Sequence, residues 1–353
     1  MPSDTVVVIG GGPAGLTAAA GVAELSLPTV LVERREALGG APVAESYAGL
    51  TPNMEEAEPA MRRMADRVLS APSARVLLSS EVTSVEGGPG EFRLGLGGPG
   101  GEETLDCGAV ILATGFQHFD PGRETQMYGY YEFPDVVTVA DLEAMLKVHD
   151  VRRPSNGQPP ERLCFIQCVG SRDRRIGNEY CSKVCCGVAS KEAIEVRRLL
   201  PDCKVFIFYI DMRMYGYWEN QIYWPAQEQH HVQYVKGIVT EVLPKGDRLI
   251  VRGEDTTMGR PMEIPMDMVV LSVGMEPSAG TRRLAGLFDL QQNRYGFVEA
   301  VAGPLDPVAT SREGVWACGA ALGPADIEDS VSTAGLAAAR AVAFVRARTA
   351  LAG

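Results

Sequence analysis

The sequence predicts an α/β chain built on two dinucleotide-binding-type βαβ units, the second inserted into the first. Three observations carry this. Thr5–Ile9, TVVVI, reads as a buried parallel strand that feeds GGGPAG and then an alanine-rich stretch. Further on, Leu163–Gln167 and Lys204–Ile210 read as buried strands, and Val188–Leu200 between them reads as a helix with Ala189, Ala193, Val196 and Leu200 on one face. Five of the eight cysteines fall within 23 residues, Cys164 to Cys186, four of them in the loop ahead of that helix. Strands alternating with helices in this way make a doubly wound sheet.

At 353 residues the chain is long enough for two domains. Hydrophobic residues make up 46% and charged residues 22%, an ordinary globular balance. The net charge of −12 argues against a nucleic-acid partner. No apolar run reaches the roughly 18 residues that a bilayer span needs. The chain enters its first strand without a charged and then apolar leader, so a reducing cytoplasm is the expectation.

Taken in order, the first unit opens with a complete fingerprint. Gly10 makes the tight turn, Gly12 lets a pyrophosphate approach, and Gly15 allows close helix packing. The helix runs from Leu16 to Leu25. The next strand, Thr29–Val32, ends at Glu33, placed to accept from ribose hydroxyls. Gly39 and Gly40 offer further unhindered amides, which suit FAD better than NAD; an ordinary turn is the alternative. Glu55–Leu69 reads as an amphipathic helix. Val76–Leu78, Glu81–Glu86, Phe92–Leu96 and Glu103–Cys107 read as a small antiparallel group, with hairpin turns at Gly87–Gly90 and Gly97–Gly101. Val82 is a candidate rest for an adenine and equally a plain strand residue. Ala109–Gly115 is a buried strand ending in a turn at Thr114 and Gly115 that suits close passage of a cofactor.

The expected division is 1–118 for the first part of this domain, 119–150 for a crossover, 151–270 for the inserted domain, and 271–353 for the return. A helix is expected over Ala140–His149. RRPSNGQPPER, residues 152–162, reads as the clearest linker. Met268–Val273 is read as the strand that brings the chain back. Gly314–Gly319 is a second strand and turn, leading through ALGPADIEDSV into an alanine-rich helix from Ser330 to Arg346. Glu328 and Asp329 read as first-turn acids of that helix. Cys107, Cys164, Cys203 and Cys318 read as packed core residues. His230 and His231 read as an exposed loop.

Cys168, Cys181, Cys185 and Cys186 are spaced C-x(12)-C-x(3)-C-C and sit where a doubly wound unit places its ligand, past the end of its first strand. Only Gly170 occupies the turn where a nicotinamide-binding unit would carry G-x-G-x-x-G. Four thiolates suit an iron–sulfur cluster, and the following helix start favours an anion. Spacing alone leaves zinc, redox-active thiols and inert packing open, although paired C-x(2–4)-C knuckles, the usual zinc pattern, are missing. If the stretch is helical, Cys181 and Cys185 share a face, with Cys186 turned about 100° away.

The quoted motifs also carry a resemblance. GGGPAG, the mid-chain ATG (Ala113–Gly115) and GVWACG resemble the two-dinucleotide-fold flavoproteins, the thioredoxin reductase and pyridine nucleotide-disulfide group. More narrowly, CVGSRD, YCSKVCC, DMRMYG, VGMEPS and GPADIEDSV resemble the A-type flavin subunit of heterodisulfide reductase over nearly the whole chain. The resemblance implies a thioredoxin reductase-like fold whose inserted Rossmann-like domain carries the cluster. It implies FAD in the first domain, on Gly10, Gly12, Pro13, Ala14, Gly15, Glu33, Arg34, Gly39, Gly40, Val82, Ala113, Thr114, Gly115, Gly319, Ala320, Asp326 and Ile327. It implies a [4Fe-4S] cluster on Cys168, Cys181, Cys185 and Cys186, with no catalytic residue required from this chain. It further implies a homodimer that exchanges electrons with heterodisulfide reductase B- and C-like subunits.

Three departures stand out. The C-x-x-C-x-x-C runs of the longer methanogen-type subunits are missing, so the chain resembles the compact form of bacterial heterodisulfide-reductase-like complexes, which the family links to cytoplasmic sulfur oxidation. Ala320 stands where thioredoxin-reductase-like proteins usually carry Asp. Ala325 stands where the family often has Lys, which puts flavin-based electron bifurcation in question. The rival expectation is a stand-alone NAD(P)H-dependent disulfide oxidoreductase, but the chain has no second glycine fingerprint and no C-x-x-C.

Overall fold

The structure, a computed structural model, describes residues 3–123 and 126–352. The chain forms two compact units. The first comprises residues 1–44, 58–117 and 276–353, and the second residues 45–57 and 118–275.

The first unit is built on a five-stranded parallel sheet. Its order is Val315–Ala317, Ala109–Leu112, Val6–Ile9, Thr29–Val32 and Ala74–Leu77. Every residue of the first four strands is buried, as expected where helices cover both faces of a parallel sheet. On one face the Pro13–Glu24 helix packs against the long Ile327–Ala352 helix. Small side chains permit this approach: a Cβ added to Gly21 would meet Cβ of Ala338 at 3.3 Å. Buried Ala14, Ala18, Ala334, Ala337 and Ala341 fill the seam. On the other face Phe92, Leu94 and Leu96 join Phe288 and Leu290. At roughly 1.5–3 kcal/mol for each large apolar side chain buried, these layers hold the sheet edges in place.

The antiparallel group consists of Glu81–Gly88, Glu91–Gly98 and Gly101–Cys107, with tight turns at both expected glycine pairs. Residues 74–77 do not join it. They extend the parallel sheet beside Thr29–Val32, because the buried edge of that strand offers a full ladder of backbone partners. The last helix starts at Ile327 rather than Ser330. Asp326 caps it, its Oδ1 accepting the Asp329 N–H at 2.7 Å, so Glu328 and Asp329 sit inside the first turn.

The second unit has a seven-stranded sheet in the order Val136–Thr138, Met268–Val273, Arg162–Val169, Lys204–Tyr209, Gln233–Lys245, Arg248–Asp255 and Arg260–Met266. The first five strands run parallel and the last two form an antiparallel meander. Met268–Val273 therefore lies between two strands of this sheet, and the chain returns to the first unit only after Met275. A six-residue strand buried along its whole length needs neighbours on both edges, and this sheet provides them. The Cys185–Leu199 helix links Arg162–Val169 to Lys204–Tyr209, completing the second βαβ unit.

Two local features depart from the sequence reading. The stretch 152–162 is tied down: Arg153 is buried, its Nη2 and Nε bonding Asp135 Oδ2 at 2.8 and 3.1 Å. Ser155 satisfies the same carboxylate from its N–H and hydroxyl at 3.0 and 2.7 Å. Residues 45–57 group with the second unit, a placement that no periodicity in the sequence marks. Among the described residues, no helix is long and apolar enough to cross a membrane.

Candidate functional site: a glycine cradle and a thiol loop

Each unit places its chemistry at the same topological point. In the first sheet Val6–Ile9 has Thr29–Val32 on one side and Ala109–Leu112 on the other. In the second, Arg162–Val169 is flanked by Lys204–Tyr209 and Met268–Val273. The strand order turns there, which opens a crevice past the carboxyl end of the central strand. A glycine turn follows the strand in the first unit, and a cysteine loop follows it in the second.

The glycine turn is as tight as the fingerprint requires. Gly10 has φ +111°, and a Cβ there would lie 2.3 Å from the Ala113 carbonyl oxygen. Gly12 caps the Pro13–Glu24 helix with extended backbone and no side-chain hydrogen bond. The first N–H groups of that helix are thus left for an anion. Gly39 returns an N–H to the Gly11 carbonyl at 2.8 Å. A Cβ on Gly40 would stand 2.7 Å from Cα of Gly12, so the second glycine pair closes over the first. Beside them is a cavity of about 360 Å³ lined by Arg35, Glu36, Leu38, Gly40 and Val43.

Glu33 is buried, and both its oxygens are occupied by backbone. Oε2 accepts the Gly11 N–H at 2.5 Å and Oε1 accepts the Arg35 N–H at 2.8 Å. Arg34 lies on the exposed turn that follows. Val82 is fully buried, and its carbonyl accepts Arg283 Nη1 at 2.8 Å. The turn at Thr114 and Gly115 is braced by residues that the sequence reading passed over. Ser278 Oγ donates to the Thr114 carbonyl at 3.0 Å, and the Thr281 hydroxyl bonds Thr114 Oγ1 at 2.6 Å and the Gly115 carbonyl at 3.2 Å. Their signal was Ser-x-x-Thr at the start of the Ala279–Leu287 helix, where Ser278 is the cap. Gly319, at φ +61°, lies close to Ala14 and donates its N–H to Thr333 Oγ1 at 3.0 Å; Ala320 follows it, buried.

In the second unit Cys168, one residue before the end of its strand, has a left-handed conformation, φ +63°, within the irregularity in the ladder between Ile166 and Val169. A non-glycine residue there stores strain, a feature that clusters at ligand sites. Gly170 faces the ring of Phe119: a Cβ on it would meet ring carbons at 2.1 Å. The loop is then stapled by Arg172 N–H to Tyr180 O at 2.9 Å, Asp173 N–H to Asn178 O at 3.0 Å, and Tyr180 Oη to Met275 O at 2.9 Å. Cys181 is not helical. The helix begins at Cys185, so Cys185 and Cys186 occupy its first turn. Backbone N–H groups point at two of the sulfurs, Lys183 to Cys181 Sγ at 3.3 Å and Arg213 to Cys186 Sγ at 3.4 Å.

The four thiols act on one another. Hydrogen bonds from Cys168 and then Cys186 hold Cys185 well below the usual thiol range, outweighing burial. The same contact with Cys185, followed by burial, pushes Cys168 and Cys186 up, and the Cys181 sulfur adds to the shift of Cys168. Arg172 also bonds Cys168, and Asp211 anchors its guanidinium, with Nη2 to Oδ2 at 3.3 Å. Among the described residues, no group of three or more His, Cys, Asp or Glu side chains converges on a single metal ion. A tetrahedral ion needs its sulfurs about 2.3 Å from one point. A cubane is ligated by thiolates, and the donors in this loop are all sulfur, two of them with a backbone N–H directed at them.

The fold and the glycine cradle define an oxidoreductase of the two-dinucleotide-binding flavoprotein class. The chain belongs to the pyridine nucleotide-disulphide oxidoreductase family, which matches residues 4–341. A thioredoxin reductase of T. acidophilum shares the fold with a TM-score of 0.65 at 18% identity, over 97% of this chain and 99% of that one. The A-type subunit of the ferredoxin:CoB-CoM heterodisulfide reductase of Methanosarcina acetivorans is 38% identical over 274 residues, covering 68% of this chain and 34% of that protein. The A-type iron-sulfur subunit of the CoB–CoM heterodisulfide reductase of Methanocaldococcus jannaschii is 30% identical over 93% of this chain and 62% of its own length. The chain thus resembles the A-type heterodisulfide reductase subunits while spanning about a third of the first of these relatives.

Proposed function

We propose that the chain is an electron-transfer flavoprotein subunit of a heterodisulfide reductase-like complex. In this reading FAD occupies the first unit and a [4Fe-4S] cluster is held by Cys168, Cys181, Cys185 and Cys186. The observation that carries it is the content of the second switch-point crevice, where four thiols and the Phe119 ring replace the open glycine turn of a nicotinamide site. FAD exchanges electrons singly or in pairs, and a cubane exchanges them singly.

The chain's own residues supply placement. Gly10, Gly12, Pro13, Ala14, Gly15, Gly39 and Gly40 would hold the pyrophosphate. Glu33 and Arg34 would take the ribose and Val82 the adenine. Ala113, Thr114, Gly115, Gly319, Ala320, Asp326 and Ile327 would complete the cradle. The Arg172 guanidinium and the N–H groups of Lys183 and Arg213 offset thiolate charge. The wider reading is a cytoplasmic homodimer that passes electrons to heterodisulfide reductase B- and C-like subunits in sulfane-sulfur oxidation. The names of the relatives, which are subunits of heterodisulfide reductases, support the partners. The stand-alone NAD(P)H-dependent disulfide oxidoreductase is not favoured, since the sequence holds no C-x-x-C.

Analysis of anaerobically purified protein tests the reading. It requires FAD, with about four irons and four sulfides per chain, and loss of iron with FAD retained in Cys185→Ser and Cys186→Ser. Zinc in place of iron, or iron retained in both variants, overturns the cluster.

A further inference from the structure

Four ionisable side chains are packed together inside the second unit, away from the first turn of the Cys185–Leu199 helix. Lys191 is 1% exposed, Glu192 0% and Glu143 4%. Lys191 Nζ pairs with Glu143 Oε1 and lies 3.0 Å from Glu195 Oε2. Among the described residues, neither oxygen of Glu192 has a hydrogen-bond donor. The cluster therefore sets one ammonium against three carboxyl groups. A buried carboxylate with no donor and like charges beside it takes up a proton rather than remain ionised.

We propose that Glu192 is a neutral carboxylic acid at neutral pH and a proton-exchange site, reached from solvent through His118, Glu45 and Tyr47. Glu45 Oε2 lies 2.8 Å from His118 Nε2, and both side chains keep a quarter or so of their surface in solvent, 28% and 23%. Tyr47 Oη donates to the same Oε2 at 3.3 Å and stands 3.4 Å from His118 Nε2. The charges of Glu143 and Glu192 add to the upward shift of the Tyr47 phenol. The next residue, Ala48, fastens this segment to the acid pair by giving its N–H to Glu143 Oε2 at 2.8 Å.

The electrostatics agree with the packing. Burial first, then Glu143, pushes Glu192 well up; Lys191 pulls it down, and Glu195 pushes it further up. Burial opposes charge on Lys191, but Glu143, Glu195 and Glu192 together outweigh it, so the ammonium stays. Burial, followed by Glu45, raises Tyr47, which keeps its phenol proton. On this route a proton that arrives on Glu45 passes to the phenol oxygen, and the hydroxyl's own hydrogen passes inward toward the carboxyl pair to which the Ala48 N–H fastens the segment. Tyr47 ends each transfer neutral. The site lies in the same unit as the thiol loop, but its assignment does not depend on any metal there.

Infrared spectroscopy of the full chain carrying carboxyl-¹³C glutamate tests this. The expected result is a protonated-carboxyl band at neutral pH that shifts with the isotope, disappears in Glu192→Gln and persists in Glu195→Gln. In Tyr47→Phe the band should remain while its hydrogen–deuterium exchange slows about tenfold. No carboxylic-acid band at neutral pH, or a band unchanged in Glu192→Gln, overturns the acid. Exchange as fast in Tyr47→Phe as in the native chain overturns the route. If Glu192→Gln does not fold, loss of the band in Glu192→Asp gives the same assignment, and its survival there unshifted counts against it.

Discussion

The carbonyl oxygen of Gly10 lies 1.7 Å from the point where a Cβ on Gly15 would stand. Two glycines of the fingerprint are thus locked against each other, and the helix start cannot retreat because Ala14 also lies close to Gly319. Gly15→Ala should cost about 1–3 kcal/mol or more by overpacking and should abolish flavin retention. Urea unfolding together with flavin content of the purified variant checks both. A variant that keeps native flavin content would mean that the turn yields more readily than this contact implies.

Cys107, Cys203 and Cys318 are buried away from solvent, and burial pushes each thiol up to about 12. At a pH near 8 roughly one part in ten thousand of such a group is thiolate, the reactive form. Alkylation of the native protein followed by peptide mass analysis should leave these three unmodified until denaturant is added. Rapid labelling of Cys318 would instead make it a candidate redox thiol of the first unit.

The fingerprint was legible because each of its residues answers a local demand: Gly10 a positive φ, Gly15 a close approach, Glu33 a place at the end of its strand. The thiol loop was legible for the same reason, since five cysteines in one short stretch stand out from any background. What escaped reading depended on contacts distant in sequence. Lys191, Glu192 and Glu195 look like the charged face of an amphipathic helix, yet Glu143 from another helix and the 45–57 segment cover them. Ser278 and Thr281 brace a turn more than 160 residues earlier in the chain. Ala74–Leu77 joined the parallel sheet because a strand edge there lacked a partner, which no pattern within those four residues announces.

Asp135 and Arg153 form a buried pair whose carboxylate is fully satisfied by Arg153 and Ser155. Removing one partner strands the other charge, at about 3–5 kcal/mol. Asp135→Ala should therefore lower the urea midpoint sharply, while a double replacement of both residues by apolar ones should recover most of the loss. A destabilisation under about 1 kcal/mol, in the range of an exposed pair, would show that residues 152–162 are a free linker after all.

The buried acid also gives stability a pH dependence of definite sign. Glu192 has its folded pKa raised above the unfolded value, chiefly by burial. Between those two values the native state binds more protons than the unfolded one, so stability falls as pH rises. The native chain should lose stability relative to Glu192→Gln as pH rises above the ordinary carboxylate range, and the two should converge in slope below it. Parallel curves at all pH values would mean that Glu192 titrates as an exposed carboxyl does.

A nicotinamide dinucleotide needs backbone to approach its pyrophosphate and a helix start free to receive it. Here the single turn glycine, Gly170, has the Phe119 ring where its Cβ would point, and the helix start carries Cys185 and Cys186. NADH added alone to flavin-loaded protein should therefore reduce the flavin slowly or not at all in anaerobic stopped-flow. Phe119→Ala would clear the ring from Gly170 but leave the cysteines in place, so it should not restore rapid reduction. Rapid bleaching in the native chain would mean that the dinucleotide reaches the flavin by another path, and would revive the stand-alone reductase.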